Sequence, residues 1–343
     1  MKHLFVFITF CLLFTGCDSD TINGGGGSSS SSYIFVAGEG NFLNPGSGSL
    51  TYVNDSGEVA TLPDLGSTVQ SVEVYQDMLL VSVNGDQKIL VYSISDSGLE
   101  FDMEITTDGQ SPRDIHVIGD KAYFPTWDPD YYVYPTIPGY IKVLDLNTLQ
   151  IIESIQVGIM PEGMFYKDGY LWVANSGESS VSKINLSATN EIVEYEVGEG
   201  PRYLTDLGDD IYIARTEYDG WNISGYGASK ISGDEISIES HTSLAGGACG
   251  GFVVTIDNKV YRSYDGGIAV IGEDLQITPS TRIGSFMQDQ VNAIEVIDEK
   301  VYFAITDFST MGQVYIMDIG GNIESSYDVG IGPGDFATWQ SSR

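Results

Sequence analysis

Residues Ile294–Phe303 read IEVIDEKVYF, two runs of alternating apolar residues on either side of an Asp-Glu turn. Alternation of this kind is typical of a half-buried β-strand, and two such runs around a short polar break predict a β-hairpin. The same pattern occurs six times, at Val72–Val81, Ile115–Phe124, Met164–Val173, Leu204–Ile213, Val253–Arg262 and Ile294–Phe303. A hairpin that returns this often indicates a repeat protein, in which each copy is one structural unit.

A Gly- or Pro-rich loop precedes each hairpin and sets the period of the repeat. The loops contain Pro112, Pro161, Pro201 and Pro333, and loops without proline lie near Val69, Gly250 and Val291. The spacing of these seven loops is about 40 to 50 residues, which is the period of four-stranded propeller blades.

The two ends of the repeat region complete each other. After the last loop only one strand remains, Asp335–Trp339, whereas the N-terminal part supplies three, Tyr33–Ala37, Ser49–Val53 and Glu58–Leu62. Pairing of the last strand with the first would complete a four-stranded blade and remove free sheet edges. The sequence therefore predicts an all-β fold, a single seven-bladed β-propeller whose ring is closed by pairing the C-terminal strand with the N-terminal blade.

The first residues have the composition of a targeting segment. Lys2 and His3 precede an apolar run, Leu4–Phe14, that is too short to span a membrane as a mature helix. The run leads into Thr15-Gly16-Cys17, which resembles the lipobox of bacterial lipoproteins; an ordinary secretory signal with an incidental cysteine is the alternative. We predict a signal peptide over residues 1–16, a lipidated Cys17 with a Gly/Ser tether over 17–32, and the propeller over 33–343.

The charge of the chain excludes several classes of partner. There are 15 Lys and Arg against 48 Asp and Glu, a formal net charge of -33. Such a surface repels nucleic acid and anionic lipid headgroups, so we predict no nucleic-acid partner and membrane contact only through the lipid anchor. An acidic shell that adapts the protein to salt and a function that collects cations both stay open.

Two motifs carry a resemblance to known propellers. The loop Val157–Pro161 (VGIMP), with equivalents at 197–201 and 329–333, resembles the loops of Tyr-Val-Thr-Asn (YVTN) repeat propellers. The segment Phe35–Phe42 (FVAGEGNF), followed by Gly48-Ser49-Leu50, is similar to the start of surface propeller lipoproteins of Gram-negative bacteria. That resemblance implies an outer-membrane location, cobalamin (a corrinoid) as ligand and a TonB-dependent transporter as partner. Asp18-Ser19-Asp20, directly after Cys17, is similar to the acidic export signals of such lipoproteins, which predicts that the protein faces the cell exterior.

Candidate binding residues lie where the loops meet the channel of the predicted propeller. Loops on a rigid scaffold commonly carry binding groups. Alignment of the repeats puts one position of each first strand at the channel mouth, namely Gln70, Arg113, Arg202, Gly251 and Asn292, with Glu162 within one residue. The two arginines would contact a ligand, pair with carboxylates such as Asp114 and Asp206, or do both.

Aromatic and amide residues concentrate in the predicted loops between the second and third strands of three blades. Blade 3 contributes Trp127, Tyr131 and Tyr132, blade 5 contributes Tyr218, Trp221 and Tyr226, and blade 1 contributes Asn41 and Phe42. Such side chains would form a face for a flat or apolar ligand or for a protein partner, or they would only pack the loops down.

The sequence offers little for catalysis. Only His116 and His241 follow the predicted signal peptide, and His116 aligns with Glu73, Thr205 and Glu295 on channel-lining strands, so we interpret it as a hydrated channel residue. Zinc spacing and a Gly-x-Ser-x-Gly elbow are both lacking. We predict no catalytic residues, no metal, no cofactor, and a surface lipoprotein that captures a small ligand; an envelope interaction scaffold and a propeller lyase or hydrolase are the alternatives.

Overall fold

The computed structural model describes residues 31–130, 136–187, 190–220, 222–243, 245–246 and 251–341. These residues form seven antiparallel sheets arranged as the blades of a propeller, so the predicted fold class is confirmed. The predicted signal peptide, Cys17, most of the tether and three candidate aromatics, Tyr131, Tyr132 and Trp221, lie outside the described residues. Within the described part of the chain, no helix has the length and apolar character needed to cross a membrane.

The strands are numbered along the chain. Blade 1 contains β1 (Ser32–Gly38), β2 (Gly48–Asn54) and β3 (Val59–Gly66), and blade 2 contains β4 (Val69–Tyr75), β5 (Met78–Val83), β6 (Lys88–Ser95) and β7 (Gly98–Thr106). Blade 3 contains β8 (Ser111–Pro112), β9 (His116–Ile118), β10 (Lys121–Trp127), β11 (Pro138–Asp145) and β12 (Gln150–Ile159). Blade 4 contains β13 (Pro161–Lys167), β14 (Tyr170–Asn175), β15 (Ser180–Asn185) and β16 (Ile192–Glu196). Blade 5 contains β17 (Pro201–Leu207), β18 (Asp210–Asp219), β19 (Asn222–Ser232) and β20 (Glu235–His241). Blade 6 contains β21 (Val253–Ile256), β22 (Lys259–Tyr264), β23 (Gly267–Ile271) and β24 (Ile277–Ile283). Blade 7 contains β25 (Val291–Ile297), β26 (Lys300–Ile305), β27 (Gly312–Met317) and β28 (Ile323–Val329), and a 3-10 turn at Gln288–Gln290 precedes β25. The last strand, β29 (Pro333–Gln340), returns to blade 1.

β29 is the innermost strand of blade 1 and closes the ring as predicted. It pairs antiparallel with β1, so that Ala337 lies opposite Phe35 and Trp339 opposite Tyr33. The Trp339 ring stacks on Tyr33 with centroids 5.7 Å apart, and its Nε1 donates to Oδ1 of Asp77 in blade 2 at 3.0 Å. The closing strand therefore contacts its own blade and the next one.

The apolar residues of the alternating pattern pack between neighbouring blades. In the middle strand β5, Leu79–Val83 are all buried, because both faces of this strand meet neighbouring blades. The outermost strand β7 is largely exposed. Burial of apolar surface between blades supplies the main stabilisation of such a ring.

The aromatic segment of blade 5 corrects a prediction. We predicted a long loop from Glu217 to Tyr226, but β18 and β19 continue as a paired hairpin, with Thr216 opposite Tyr226 and Tyr218 opposite Ile223. A ladder satisfies backbone donors and acceptors that an irregular loop would leave to water. Trp127 likewise ends β10 and is buried, so it does not lie in a loop.

Candidate functional site

β-Bulges at the start of the innermost strands position the aligned residues. The pairing register shifts at Gln70 in β4, at Glu162 in β13, at Arg202 in β17 and at Asn292 in β25. A bulge leaves a residue outside the ladder and redirects its side chain. These residues therefore meet at the upper face of the ring, which we define as the face that carries the loops between blades. In blade 3, Arg113 lies in the break between β8 and β9.

Arg113, Glu162 and Arg202 form a triad across three neighbouring blades. Arg113 donates Nε and Nη2 to the two carboxylate oxygens of Glu162, each at 2.8 Å. Nη2 of Arg202 lies 3.3 Å from Oε1 of the same carboxylate. Both arginines are thus paired with a carboxylate, which was one of the two predicted roles, but the partner is Glu162 and not Asp114 or Asp206.

Glu39 and Asn292 add further polar groups on the other side of the channel mouth. We call these two residues and the triad together the polar belt. The Asn292 Nδ2 donates to Oε1 of Glu39 at 3.0 Å and to the carbonyl of Pro333 at 2.8 Å. Burial raises the pKa of Glu39, while the hydrogen bond from Asn292 and the charge of Arg113 partly oppose the rise. The mouth is therefore a network of polar groups that bind one another.

A cavity of about 390 Å³ lies at the centre of the ring, where the innermost strands meet. Its wall includes Gln70 and Glu162 but not Arg113, Arg202 or Asn292, so the cavity extends from the polar belt toward the lower face. Of the residues predicted at the channel mouth, only some therefore line the space that could hold a ligand.

The cavity wall has two chemically different sides. On the side of blades 7, 1, 2 and 3 the wall includes, beside apolar residues such as Phe336, a set of titratable residues that we call the carboxyl arc: Glu295, Asp335, Glu73, Asp114 and His116. On the side of blades 4, 5 and 6 the wall includes, beside Glu162 with its two arginine partners, a set of residues that we call the aromatic arc: Phe165, Tyr203, Thr205, Phe252 and Val254. Within it the rings of Tyr203 and Phe252 stack with centroids 4.6 Å apart.

The four acids of the carboxyl arc all have pKa values above the ordinary range, mainly because burial disfavours the charged form. Burial, with Asp335 and Asp114 adding repulsion, raises the pKa of Glu73 to about 8. Among the described residues none of the four acids takes part in an ion pair. The acids of the arc therefore bind protons more tightly than exposed carboxyl groups do.

Three of these acids accept hydrogen bonds from backbone amides of the next blade. Oδ2 of Asp335 accepts from the Val72 amide at 2.7 Å, Oε1 of Glu295 accepts from the Phe336 amide at 3.3 Å, and Asp114 accepts from the Met164 amide. The fourth acid, Glu73, has no hydrogen-bond partner within the described residues. Glu73 is therefore the acid whose carboxyl group is free to meet a ligand.

His116 lines the cavity, as interpreted from the sequence, and lies close enough to Asp114 to lower the pKa of that carboxyl in part. No group of three or more His, Cys, Asp or Glu side chains in the described ranges could hold a metal ion.

Those candidate aromatic and amide residues of the loops that the structure describes, namely Asn41, Phe42, Trp127, Tyr218 and Tyr226, do not line the cavity. Trp127 and Tyr226 are buried, at 7% and 5% exposure, each beneath a guanidinium. Phe42 and Tyr218 are exposed, at 58% and 42%. Oδ1 of Asn41 accepts from the Leu43 amide at 2.8 Å and so orders its own loop.

The acids of the cavity were only partly recognisable in the sequence. Glu73 and Glu295 aligned with His116 on channel-lining strands, and that signal could have identified them. Asp114 was considered only as a partner for an arginine. Asp335 lies in the displaced closing strand, where only the predicted ring closure could bring it into the channel.

The chain matches no protein-family profile and no curated protein. It is similar to a functionally unknown protein of Desulfotomaculum acetoxidans, with a TM-score of 0.63 and 14% identity over 89% of this chain and 98% of that one. A candidate 6-phosphogluconolactonase of Bacteroides fragilis gives 0.62 and 13% over 90% and 98%. Apo AztD of Citrobacter koseri gives 0.55 and 11% over 92% and 99%. At these identities the likeness concerns the fold.

Proposed function

We propose that this protein captures a small organic cation, an amine with an apolar body, in its central cavity, and that it does so as a lipid-anchored protein of the cell envelope. The observation that carries the proposal is the division of one cavity wall into a carboxyl arc and an aromatic arc. The volume, about 390 Å³, lies in the range of about 300 to 1,000 Å³ that small-molecule pockets occupy.

The carboxyl arc favours a positive charge. Glu73 has no cationic partner among the described residues, and its pKa is raised to about 8. A protonated amine beside it would favour the ionised carboxylate, so binding would release a proton. Across the cavity, the stacked rings of Tyr203 and Phe252 would pack the apolar body and attract the cation through their faces.

The same wall disfavours an anion. Arg113 and Arg202, at the mouth, are already bound to Glu162, and no lysine or arginine of the described residues lines the cavity. A phosphorylated lactone would therefore find no cationic side chain of that kind in the wall to pair with its phosphate, which argues against the substrate named for the candidate lactonase of similar fold.

Cobalamin, which the sequence resemblance implies, is a second candidate with a different location. A corrinoid exceeds the ligands that a cavity of about 390 Å³ encloses, so it would have to bind on the upper face. There Phe42 and Leu43, 58% and 94% exposed, supply apolar surface next to Phe308. A TonB-dependent transporter as partner belongs to this candidate.

The position of the N-terminal strand is compatible with an anchor at Cys17. β1 begins at Ser32, opposite Gln340, and ends at Gly38, opposite Pro333 at the upper face. A tether that precedes Ser32 would therefore leave from the lower face and present the upper face away from the membrane. We expect Cys17→Ser to release the protein from the membrane fraction; an unprocessed N-terminus, or no acyl mass on Cys17, would contradict the anchor.

Calorimetric titration with three matched compounds tests the binding proposal. Phenethylamine should bind, whereas phenethyl alcohol and phenylpropionate, which lack the positive charge, should bind at least about tenfold more weakly. Glu73→Gln should weaken phenethylamine by a similar factor, and the control Glu100→Gln, on an exposed outer strand, should not. Equal binding of the three compounds would overturn the proposal. Corrinoid binding that Phe42→Ser abolishes and Glu73→Gln leaves intact would favour the second candidate.

A further inference from the structure

We propose that the propeller ring is closed by a proton-linked clamp, in which the carboxyl groups of Glu295 and Asp335 share one proton and together hold the closing strand β29 between blade 7 and blade 2. The clamp is independent of the ligand proposed above, because it acts on the closure of the ring itself.

The geometry of the clamp is a chain of hydrogen bonds across three blades. Glu295, on β25 of blade 7, accepts from the Phe336 amide of β29 at 3.3 Å. Its carboxyl group is also hydrogen-bonded to that of Asp335. Asp335, on β29, accepts in turn from the Val72 amide of blade 2 at 2.7 Å. Two carboxyl groups can share such a bond only when one of them carries a proton.

The strand that the clamp holds is the one on which closure depends. The other blades follow the chain from strand to strand, but β29 joins blade 1 from the far end of the sequence. Within blade 1 it is bound by its ladder with β1. On its channel side the clamp binds it to both adjoining blades, blade 7 and blade 2. Loosening of the clamp would therefore free one side of the last strand.

The surroundings make the shared proton strongly bound. Glu73 faces the clamp from β4, Asp114 and His116 face it from blade 3, and Tyr302 faces it from β26. No ion pair in the described part of the chain brings a lysine or arginine to either clamp residue. Burial raises the pKa of both clamp residues. The charge of Asp335 and the hydrogen bond to it raise the pKa of Glu295 further, whereas the bond to Glu295 partly lowers the pKa of Asp335 and repulsion from Asp114 raises it.

The sign of the pH effect follows from these shifts. Folded-state pKa values above the unfolded values mean that the folded protein binds the proton more tightly. The contribution is complete in acid, below the unfolded pKa values, and is lost as the pH rises through the folded ones. The ring should thus be closed most firmly at acid to neutral pH, and β29 should loosen in alkali.

Melting temperature against pH, measured without ligand, tests the clamp. The temperature should fall as the pH rises from about 5 to about 9 in moderate salt, which screens the net surface charge. Glu295→Gln keeps a donor and an acceptor but cannot ionise, so its profile should be flatter, whereas Glu100→Gln, on the exposed strand β7, should follow the parent. Hydrogen exchange of residues 333–340, corrected for intrinsic rates, should accelerate with pH in the parent and less in Glu295→Gln.

Parallel pH profiles of the parent and Glu295→Gln would overturn the clamp. If Glu295→Gln does not fold, Asp335→Asn supplies the same comparison, and the exchange of residues 333–340 in the parent alone must still depend on pH. Failure of amine binding at Glu73 would leave these results unchanged, so the clamp and the proposed function can fail separately.

Discussion

The guanidinium of Arg113 lies over the indole of Trp127, with Cζ 4.1 Å from the ring centroid. The Trp127 Nε1 donates to the Pro161 carbonyl of blade 4 at 2.8 Å, and Arg113 binds Glu162 of the same blade. The two residues that the sequence indicated as separate ligand contacts therefore act as one packed unit that joins blades 3 and 4.

We expect Trp127→Ala to lower the free energy of unfolding by about 3 to 5 kcal/mol, because it removes a buried indole and leaves a cavity beneath Arg113. Tyr218→Ala is the control, since Tyr218 is an exposed aromatic of blade 5. Its cost should stay below about 1 kcal/mol. Urea denaturation measures both, and equal stability of Trp127→Ala and the parent would contradict the packing role.

Glu162 is the buried carboxylate that receives both Arg113 and Arg202. Glu162→Gln should destabilise the protein by about 3 kcal/mol, because removal of one member of a buried ion pair leaves the other charge uncompensated. Glu104→Gln, which breaks an exposed pair with Lys88, should cost less than about 1 kcal/mol. Denaturation curves that rank the two variants in the opposite order would refute this account.

The fold could be predicted from the sequence because the repeat is a local signal. Each hairpin, such as Ile294–Phe303, can be recognised from the alternation within one short stretch of sequence. The strands at the two ends, Tyr33–Ala37 and Asp335–Trp339, complete one blade only if the ring closes. The alignment of the repeats marks the bulged positions Gln70 and Asn292, but it does not indicate that the pairing register shifts there.

The cavity could be predicted less well, because its chemistry depends on contacts between blades. The bond between Glu295 and Asp335 joins residues of different blades, and no sequence spacing indicates it. The aromatic side chains were misleading, since Trp127 and Tyr226 are large enough to look like ligand contacts but are buried by the arginines above them.

Glu73 should make stability depend on pH. Its pKa rises from the ordinary value of 4.5 to about 8 on folding, so the stability that its bound proton supplies is complete at low pH and is lost as the pH passes through about 8. Glu73→Gln should raise stability by about 1 to 3 kcal/mol near pH 9 and change it little near pH 5. Urea denaturation at the two pH values measures the difference, and an equal effect at both would show that Glu73 does not titrate in this range.

Removal of the last nine residues, 335–343, should abolish soluble folded protein. The deletion takes most of β29, including the Trp339 ring on Tyr33 and the clamp residue Asp335. It also exposes the edge of β1, whose backbone groups then have no partner, and such an edge promotes aggregation. Deletion of residues 342–343 alone leaves β29 complete and is the control. Soluble yield and thermal melting measure both proteins; a nine-residue deletion that melts like the parent would mean that the ring does not depend on its last strand.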